Sequence, residues 1–327
     1  MTKAIHSQLL KEYPGRTKQI EELQRLITLE CSVPFLYING LPSTGKTSIV
    51  NRFFELYSHE FNSPSKKNQP TKAPGSSFRF AFIDCIDCLS QKTLFRRILR
   101  SWFKDTKASS FKSIENTCET VEDFILVNNS IPELEFDTKY IVLDNAEKLK
   151  SLDPLFIPSL LEISDILQIS IIMISVLPWE NIRPQATSCP EPICLYFTQY
   201  SKPEVIDILK LDCPIDEPEN FFLTFVDSLY ETFRRSCKDL NEFRLLVSLL
   251  YPKYVQPVFE GQATRNETAR LFKLCQPYFV LAIDKLHLRE ISAYDWQSKS
   301  ILASAKNDFE TIEKSINKIS SKSGTHH

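Results

Sequence analysis

The sequence predicts an α/β protein: a phosphate-loop domain with a mostly parallel sheet over residues 1–198, then an all-helical domain over 199–300 and a polar tail over 301–327. Three observations carry this. Apolar strand-like runs alternate with helical patterns as far as residue 198, the signature of a parallel α/β sandwich. Beyond Ser201 apolar residues recur at helical spacing and no strand pattern emerges. Between the first strand and the next helix stands a complete G-x-x-x-x-G-K-[ST] motif, Gly40, Leu41, Pro42, Ser43, Thr44, Gly45, Lys46 and Thr47.

Each element follows from local chemistry. Tyr13-Pro14-Gly15-Arg16 breaks the chain, and Thr17 caps a run whose apolar residues Ile20, Leu23, Leu26 and Ile27 have helical spacing. Phe35 to Asn39 is nearly continuous apolar sequence, as in a strand buried on both faces. A helix is expected to begin at Ser48 and place its positive N-terminus against an anion. The stretch 58–77, rich in Ser, Pro, Lys and Asn, reads as a flexible exposed insertion. Further strands are expected at Phe78–Asp84, Thr138–Asp144 and Ile169–Ser175, with helices over 89–107, 119–128 and 153–167. In the second domain, Val205-Ile208-Leu209, Phe222-Phe225-Leu229 and Leu240-Phe243-Leu246-Leu250 mark helices.

The motif points to a nucleoside triphosphate. Gly40 and Gly45 let backbone N–H groups close on phosphate oxygens, Lys46 supplies a point charge, the Thr47 hydroxyl suits Mg²⁺, and Ser48 follows at the helix start. The alternative is a glycine-bearing surface loop. A second metal ligand is expected at the end of a neighbouring apolar strand, and Tyr140-Ile141-Val142-Leu143-Asp144 supplies one in Asp144. Asn145 stands next, where such ATPases commonly carry a Glu that polarises water, and an amide cannot accept that proton. Glu147 is the alternative base, although its side chain is expected to point elsewhere. Ser175 ends the fourth strand, either to touch a γ-phosphate or simply to end the strand. Arg244 in the second domain either reaches the γ-phosphate or is a solvated arginine.

Composition sets limits. With 39 basic and 41 acidic residues the formal charge is −2, so any nucleic-acid contact needs a local patch. Arg96, Arg97, Arg100 and Lys104 are interleaved with aromatics on one helix; the alternative is a charged face beside a buried Phe95-Leu99-Trp102 stripe. Nine scattered cysteines fit reduced thiols, and Cys85-x-x-Cys88 has no second pair at zinc spacing, so buried thiols are expected there. No apolar run is long enough to span a bilayer, and a cytosolic or nuclear protein is expected.

These residues together resemble the AAA+ ATPases, and among them the initiator group typified by the origin recognition complex and its loader relative. The resemblance runs over Tyr13 to Gln19, Gly40 to Thr47, Phe82 to Cys88, Tyr140 to Glu147, Pro178 to Pro184, Leu195 to Phe197, Tyr251 to Tyr254, and Leu288 to Ser292 with Trp296. It implies ATP with Mg²⁺, bound between the α/β domain and a helical lid. It also implies a nuclear ring of subunits, with subunits 4 and 3 as neighbours, that encircles double-stranded origin DNA and helps load the replicative helicase. By position, Lys46, Thr47 and Asp144 take the phosphate and metal roles, Ser175 and Arg244 the sensors, and Tyr13, Pro14, Gly15 and Arg16 the adenine side. The basic helix with Arg96, Arg97, Arg100 and Lys104 would face the DNA channel. Two departures stand out. Residues 151–182 hold no Arg or Lys to serve as an arginine finger, with Glu162 where one is expected and Arg183 just downstream. The winged-helix domain that follows the lid in relatives is expected to be absent. The expectation is a subunit in which ATP is mainly structural and hydrolysis slow or absent. The alternatives are an active AAA+ motor or loader and a P-loop phosphotransferase.

Overall fold

Phe35–Gly40 (β1) is flanked by Ile169–Ser175 (β4) on one side and Ile193–Phe197 (β5) on the other, and all three run parallel. Thr138–Asp144 (β3) and Phe78–Asp84 (β2) complete a five-stranded parallel sheet in the order β2-β3-β4-β1-β5. The computed structural model describes residues 3–27, 33–62, 78–103, 118–130, 138–153, 155–184 and 190–291. Contacts divide the chain into two units, Met1–Asp212 and Cys213–His327.

Strand periodicity sorts the first unit's core into two layers, because successive side chains point to opposite faces. Tyr37, Ile141, Leu143, Ile171 and Met173 pack one face, with Leu94, Phe95, Phe124, Phe156 and Leu160 from the helices there. Leu36, Ile38, Tyr140, Val142, Ile172 and Ile174 pack the other, against Ile20, Leu23, Phe53 and Phe54. Every residue of β4 is buried, which explains a strand that reads as unbroken Ile and Met rather than as an alternation. The chain leaves β1 toward β2 and later reaches β5 on the opposite side. The carboxyl edge beside β1 is therefore the point where strand order reverses, where ligands bind in open α/β sheets.

Several boundaries differ from expectation. Lys3–Glu12 (α1) was not foreseen; it is short and ends at the Tyr13-Pro14-Gly15 break, while Thr17–Leu26 (α2) is where the spacing put it. The helix after the loop, Lys46–Asn62 (α3), runs through the first residues of the stretch read as an insertion, so that reading is corrected for 58–62. Residues 63–77 lie outside the described residues. Gln91–Trp102 (α4) starts at a Ser90 cap whose side chain accepts from Thr93 N–H. Val121–Ser130 (α5) and Phe156–Leu167 (α6) follow, then the short Trp179–Ile182 (α7). Strand β5 escaped notice because it is a five-residue edge strand with only Leu195 and Phe197 buried.

The sheet unit extends further than residue 198. Lys202–Lys210 (α8) belongs to it, held by a capping box between Ser201 and Glu204, and the boundary falls after Asp212. In the second unit, Glu219–Phe233 (α9), Leu240–Phe259 (α10) and Thr268–Ile291 (α11) are helical and no strand occurs among the described residues. Phe225 centres its core, with Tyr251, Tyr254 and Phe279 rings at 5.3, 4.9 and 6.3 Å. The tail over 301–327 lies outside the described residues.

Phe54 anchors α3 to the sheet, its ring 5.2 Å from Tyr140, 5.6 Å from Phe80 and 6.0 Å from Phe78. Replacing it with Ala should remove about 3–5 kcal/mol from the first unit's stability. In urea unfolding followed by circular dichroism the midpoint should fall clearly, and an unchanged midpoint would refute this packing role.

Candidate functional site

The site starts where β1 ends. A Cβ on Gly40 would lie 2.4 Å from the Phe197 carbonyl oxygen, so only glycine lets β1 and β5 pair to their ends. The chain then turns through Ser43 at φ 57° and Gly45 at φ 85°, left-handed conformations for which glycine is the natural choice, and enters α3 at Lys46. Lys46 is buried, and its ammonium donates to the carbonyls of Gly40 at 2.6 Å and Leu41 at 2.7 Å, and to Thr44 Oγ1 at 3.4 Å. Burial pushes its pKa below the usual lysine value, while the charges of Asp144 and Glu147 act the other way.

Asp144 stands at the end of β3, also buried. Burial raises its pKa; a hydrogen bond from the Thr47 hydroxyl and one from Asn145 N–H at 3.0 Å favour the ionised form, as does the Lys46 charge. The loop's threonine and the strand's aspartate thus face one site. An ammonium, a hydroxyl and a buried carboxylate at a helix N-terminus form a donor set that fits a polyphosphate with a divalent cation. Lys46 and Asp144, far apart in sequence, come to the same edge of the sheet, near enough for each charge to act on the other, because β1, β4 and β3 are successive neighbours.

Asn145 adopts the left-handed conformation, φ 53° and ψ 44°, which Asn tolerates better than most residues. Its side-chain amide donates to Asp84 Oδ1 at 2.9 Å, tying the ends of β3 and β2 together. Glu147 corrects an expectation. Its side chain does not turn away, because Ala146–Ser151 forms a tight 3-10 turn; the Ser175 hydroxyl donates to Glu147 Oε2 at 2.5 Å. Ser175 Oγ also accepts from Leu177 N–H at 3.0 Å. Beneath it, burial pushes the Tyr37 phenol up to about 12, and its hydroxyl donates to the Leu177 carbonyl at 2.6 Å.

The Tyr13 to Arg16 box lies along the loop. Tyr13 donates to the Ser48 carbonyl at 3.3 Å. Arg16 is 1% exposed; its guanidinium donates to the carbonyls of Thr44 at 3.1 Å and Thr198 at 2.6 Å. The Arg16 guanidinium carbon also lies 3.7 Å from the Tyr200 ring centroid, and Tyr200 OH donates to the Thr44 carbonyl at 3.2 Å. Sequence reasoning missed Tyr200 and Thr198, which belong to no motif, and gave Asp84 no role although it too ends an apolar strand.

Arg244 is exposed on α10 of the second unit. On α4 the Leu94, Phe95, Ile98, Leu99 and Trp102 stripe is buried, Arg100 is exposed, and Arg97 pairs with Asp87 at 3.1 Å. Arg96 is half-buried on the same helix, and Lys104 lies outside the described residues. Arg183 pairs with Glu191 at 2.5 Å. No His, Cys, Asp and Glu cluster suited to a metal occurs among the described residues, and no described helix is long and apolar enough to cross a membrane. Cys85 and Cys88 are buried, and burial pushes both thiols up.

With this geometry in place, the chain can be set beside known proteins. Residues 222–289 match the family model "ORC5, lid domain". Origin recognition complex subunit 5 of Homo sapiens is 29% identical over 289 residues, covering 86% of this chain and 62% of the relative. The Drosophila melanogaster protein of the same name is 25% identical, covering 88% and 63%. The chain thus spans less than two thirds of the length of these curated relatives. A chain in "Structure of Drosophila ORC bound to DNA" superposes with a TM-score of 0.69 at 23% identity, over 87% of this chain and 71% of that one. The Aeropyrum pernix ORC2 protein, solved as ADPNP–ADP complexes, gives 0.53 at 14% identity, over 81% and 68%. Both share the fold.

The raised, buried thiols predict that Cys85 and Cys88 are chemically silent in the folded chain. Brief treatment with iodoacetamide near neutral pH, followed by peptide mass mapping, should leave both unlabelled, whereas the urea-unfolded chain labels at both. Rapid labelling of either in the native chain would contradict the burial.

Proposed function

Because this chain is a relative of origin recognition complex subunit 5, we propose that it is an ATP-binding subunit of a nuclear origin recognition complex that acts in the initiation of DNA replication. In this reading it assembles with other subunits, subunits 4 and 3 beside it, on double-stranded origin DNA, and helps load the replicative helicase. Arg96, Arg97, Arg100 and Lys104 are the residues proposed to meet DNA phosphates, which would position the protein without reading sequence. The nucleotide is ATP, with its phosphates on residues 40–48 and Mg²⁺ on Thr47 and Asp144. When bound, the cation neutralises phosphate charge.

ATP here is a structural ligand. What carries this reading is Asn145: it stands beside the metal aspartate, cannot accept a proton, and has its amide committed to Asp84. Lys46 and Asp144 remain suited to binding, so the site can hold a triphosphate without cleaving it efficiently. Ser175 is the group proposed to sense the γ-phosphate. A second reading, slow residual hydrolysis, is favoured by Glu147, whose carboxylate is hydrogen-bonded to Ser175 and acts electrostatically on Lys46.

Radiolabelled ATP separates the two. The purified chain with Mg²⁺ should retain intact ATP over hours and release phosphate at or near the buffer rate. Prompt turnover by the isolated chain would sink the structural reading. Slow release above background that Glu147→Gln abolishes, with ATP retention unchanged, would establish the second.

A further inference from the structure

We infer that Arg16 and Tyr200 are positioning residues that aim the phosphate loop's backbone and couple it to the segment following β5, an inference that rests on nucleotide binding in that loop. The Thr44 carbonyl receives two donors, Arg16 Nε at 3.1 Å and Tyr200 OH at 3.2 Å. A trans peptide is planar, with its C=O and N–H pointing in opposite directions. Holding the Thr44 carbonyl therefore fixes where the Gly45 N–H points, and that N–H belongs to the glycine-rich turn that closes on phosphate. The two side chains act from outside the loop on a donor inside it.

The fit around them is close. A Cβ on Gly45 would come within 2.8 Å of Tyr200 OH, and one on Gly15, at φ 77°, within 2.8 Å of Glu204 Cγ. Arg16 also donates to the Thr198 carbonyl at 2.6 Å and lies between the Tyr200 and Phe197 rings, 3.7 and 5.5 Å from their centroids. One guanidinium thus joins the loop to Phe197, Thr198 and Tyr200, just before Ser201, the cap of α8.

The energetics argue for a role beyond packing. Arg16 is almost wholly buried and bonds to carbonyls and ring faces rather than to a carboxylate. A buried cation of this kind gives less stability than an apolar side chain of equal volume. Its charge opposes that of Lys46 and helps lower the lysine's pKa. One buried cation in the loop and a second packed against it make an arrangement that an incoming polyphosphate relieves. Loop occupancy and the 197–204 segment then respond together.

Hydrogen exchange on the full chain, with and without ATP and Mg²⁺, tests this alongside equilibrium ATP binding. In the wild type ATP should slow exchange both in residues 42–48 and in residues 198–204. Tyr200→Phe keeps the ring and loses one donor; Arg16→Lys keeps the charge and loses the fork. Both should weaken ATP binding, about fivefold and about tenfold respectively. Both should keep nucleotide protection of 42–48 at saturating ATP and lose it over 198–204. Tyr200→Phe, the milder change, decides the matter if Arg16→Lys fails to fold. Wild-type affinity with both stretches protected in Tyr200→Phe overturns the inference. So does weakened affinity with 198–204 still protected, or wild-type protection confined to 42–48. If ATP protects neither stretch in the wild type, nucleotide binding itself is wrong and this coupling falls with it.

Discussion

Everything at the site depends on one constraint: a lysine ammonium and an aspartate carboxylate are held buried at the carboxyl edge of a parallel sheet. Removing charges from water is costly, and here each group answers the other's charge, with hydrogen bonds to loop carbonyls and the Thr47 hydroxyl completing their shells. The sheet supplies the rigidity that keeps them there. Its strands are buried on both faces, and the order β3-β4-β1 places the end of β3 within reach of the loop that follows β1. A shift of β1 by one residue against β4 would turn its apolar side chains to the wrong layers, so the site's register is set by the core.

From this follows a division of labour among polar groups at the strand ends. Asp144 faces Thr47, whereas Asp84 takes the amide of Asn145 and the N–H of Ile86. Ser175 and Glu147 form a third pair. A left-handed backbone at residue 145 suits Asn, and that residue's side chain serves the strand-to-strand tie rather than a reacting water. Two roles are thus separate at these strand ends: Lys46 and Asp144 are held by burial, while the neighbouring Asn145 ties the sheet's edge to Asp84.

Much of this was legible in the sequence, for physical reasons. Glycines at 40 and 45 and the Lys-Thr pair leave a spacing that little else produces, and the apolar run into Asp144 announces a buried strand that ends on a carboxylate. The second unit's helices were visible as 3.6-residue periodicity. What escaped were features decided by tertiary contact. Strand β5 is half exposed, so its pattern is weak. The position of Glu147 depends on a 3-10 turn that replaces the expected continuation. The end of the first unit lies after α8 because Thr198, Tyr200 and Glu204 pack back on the Gly15-Arg16 turn and the loop, contacts between residues far apart in sequence. No local signal encodes such pairings.

The central claim is that Lys46 and its surroundings form one binding site for a nucleoside triphosphate. Calorimetric titration of Mg-ATP into the purified chain and into its Lys46→Ala variant addresses it directly. The account predicts saturable binding of one ATP per chain, weakened on the order of a hundredfold in the variant while its fold, checked by circular dichroism, is retained. Equal affinities in the two proteins, or no binding by the wild type, would contradict it.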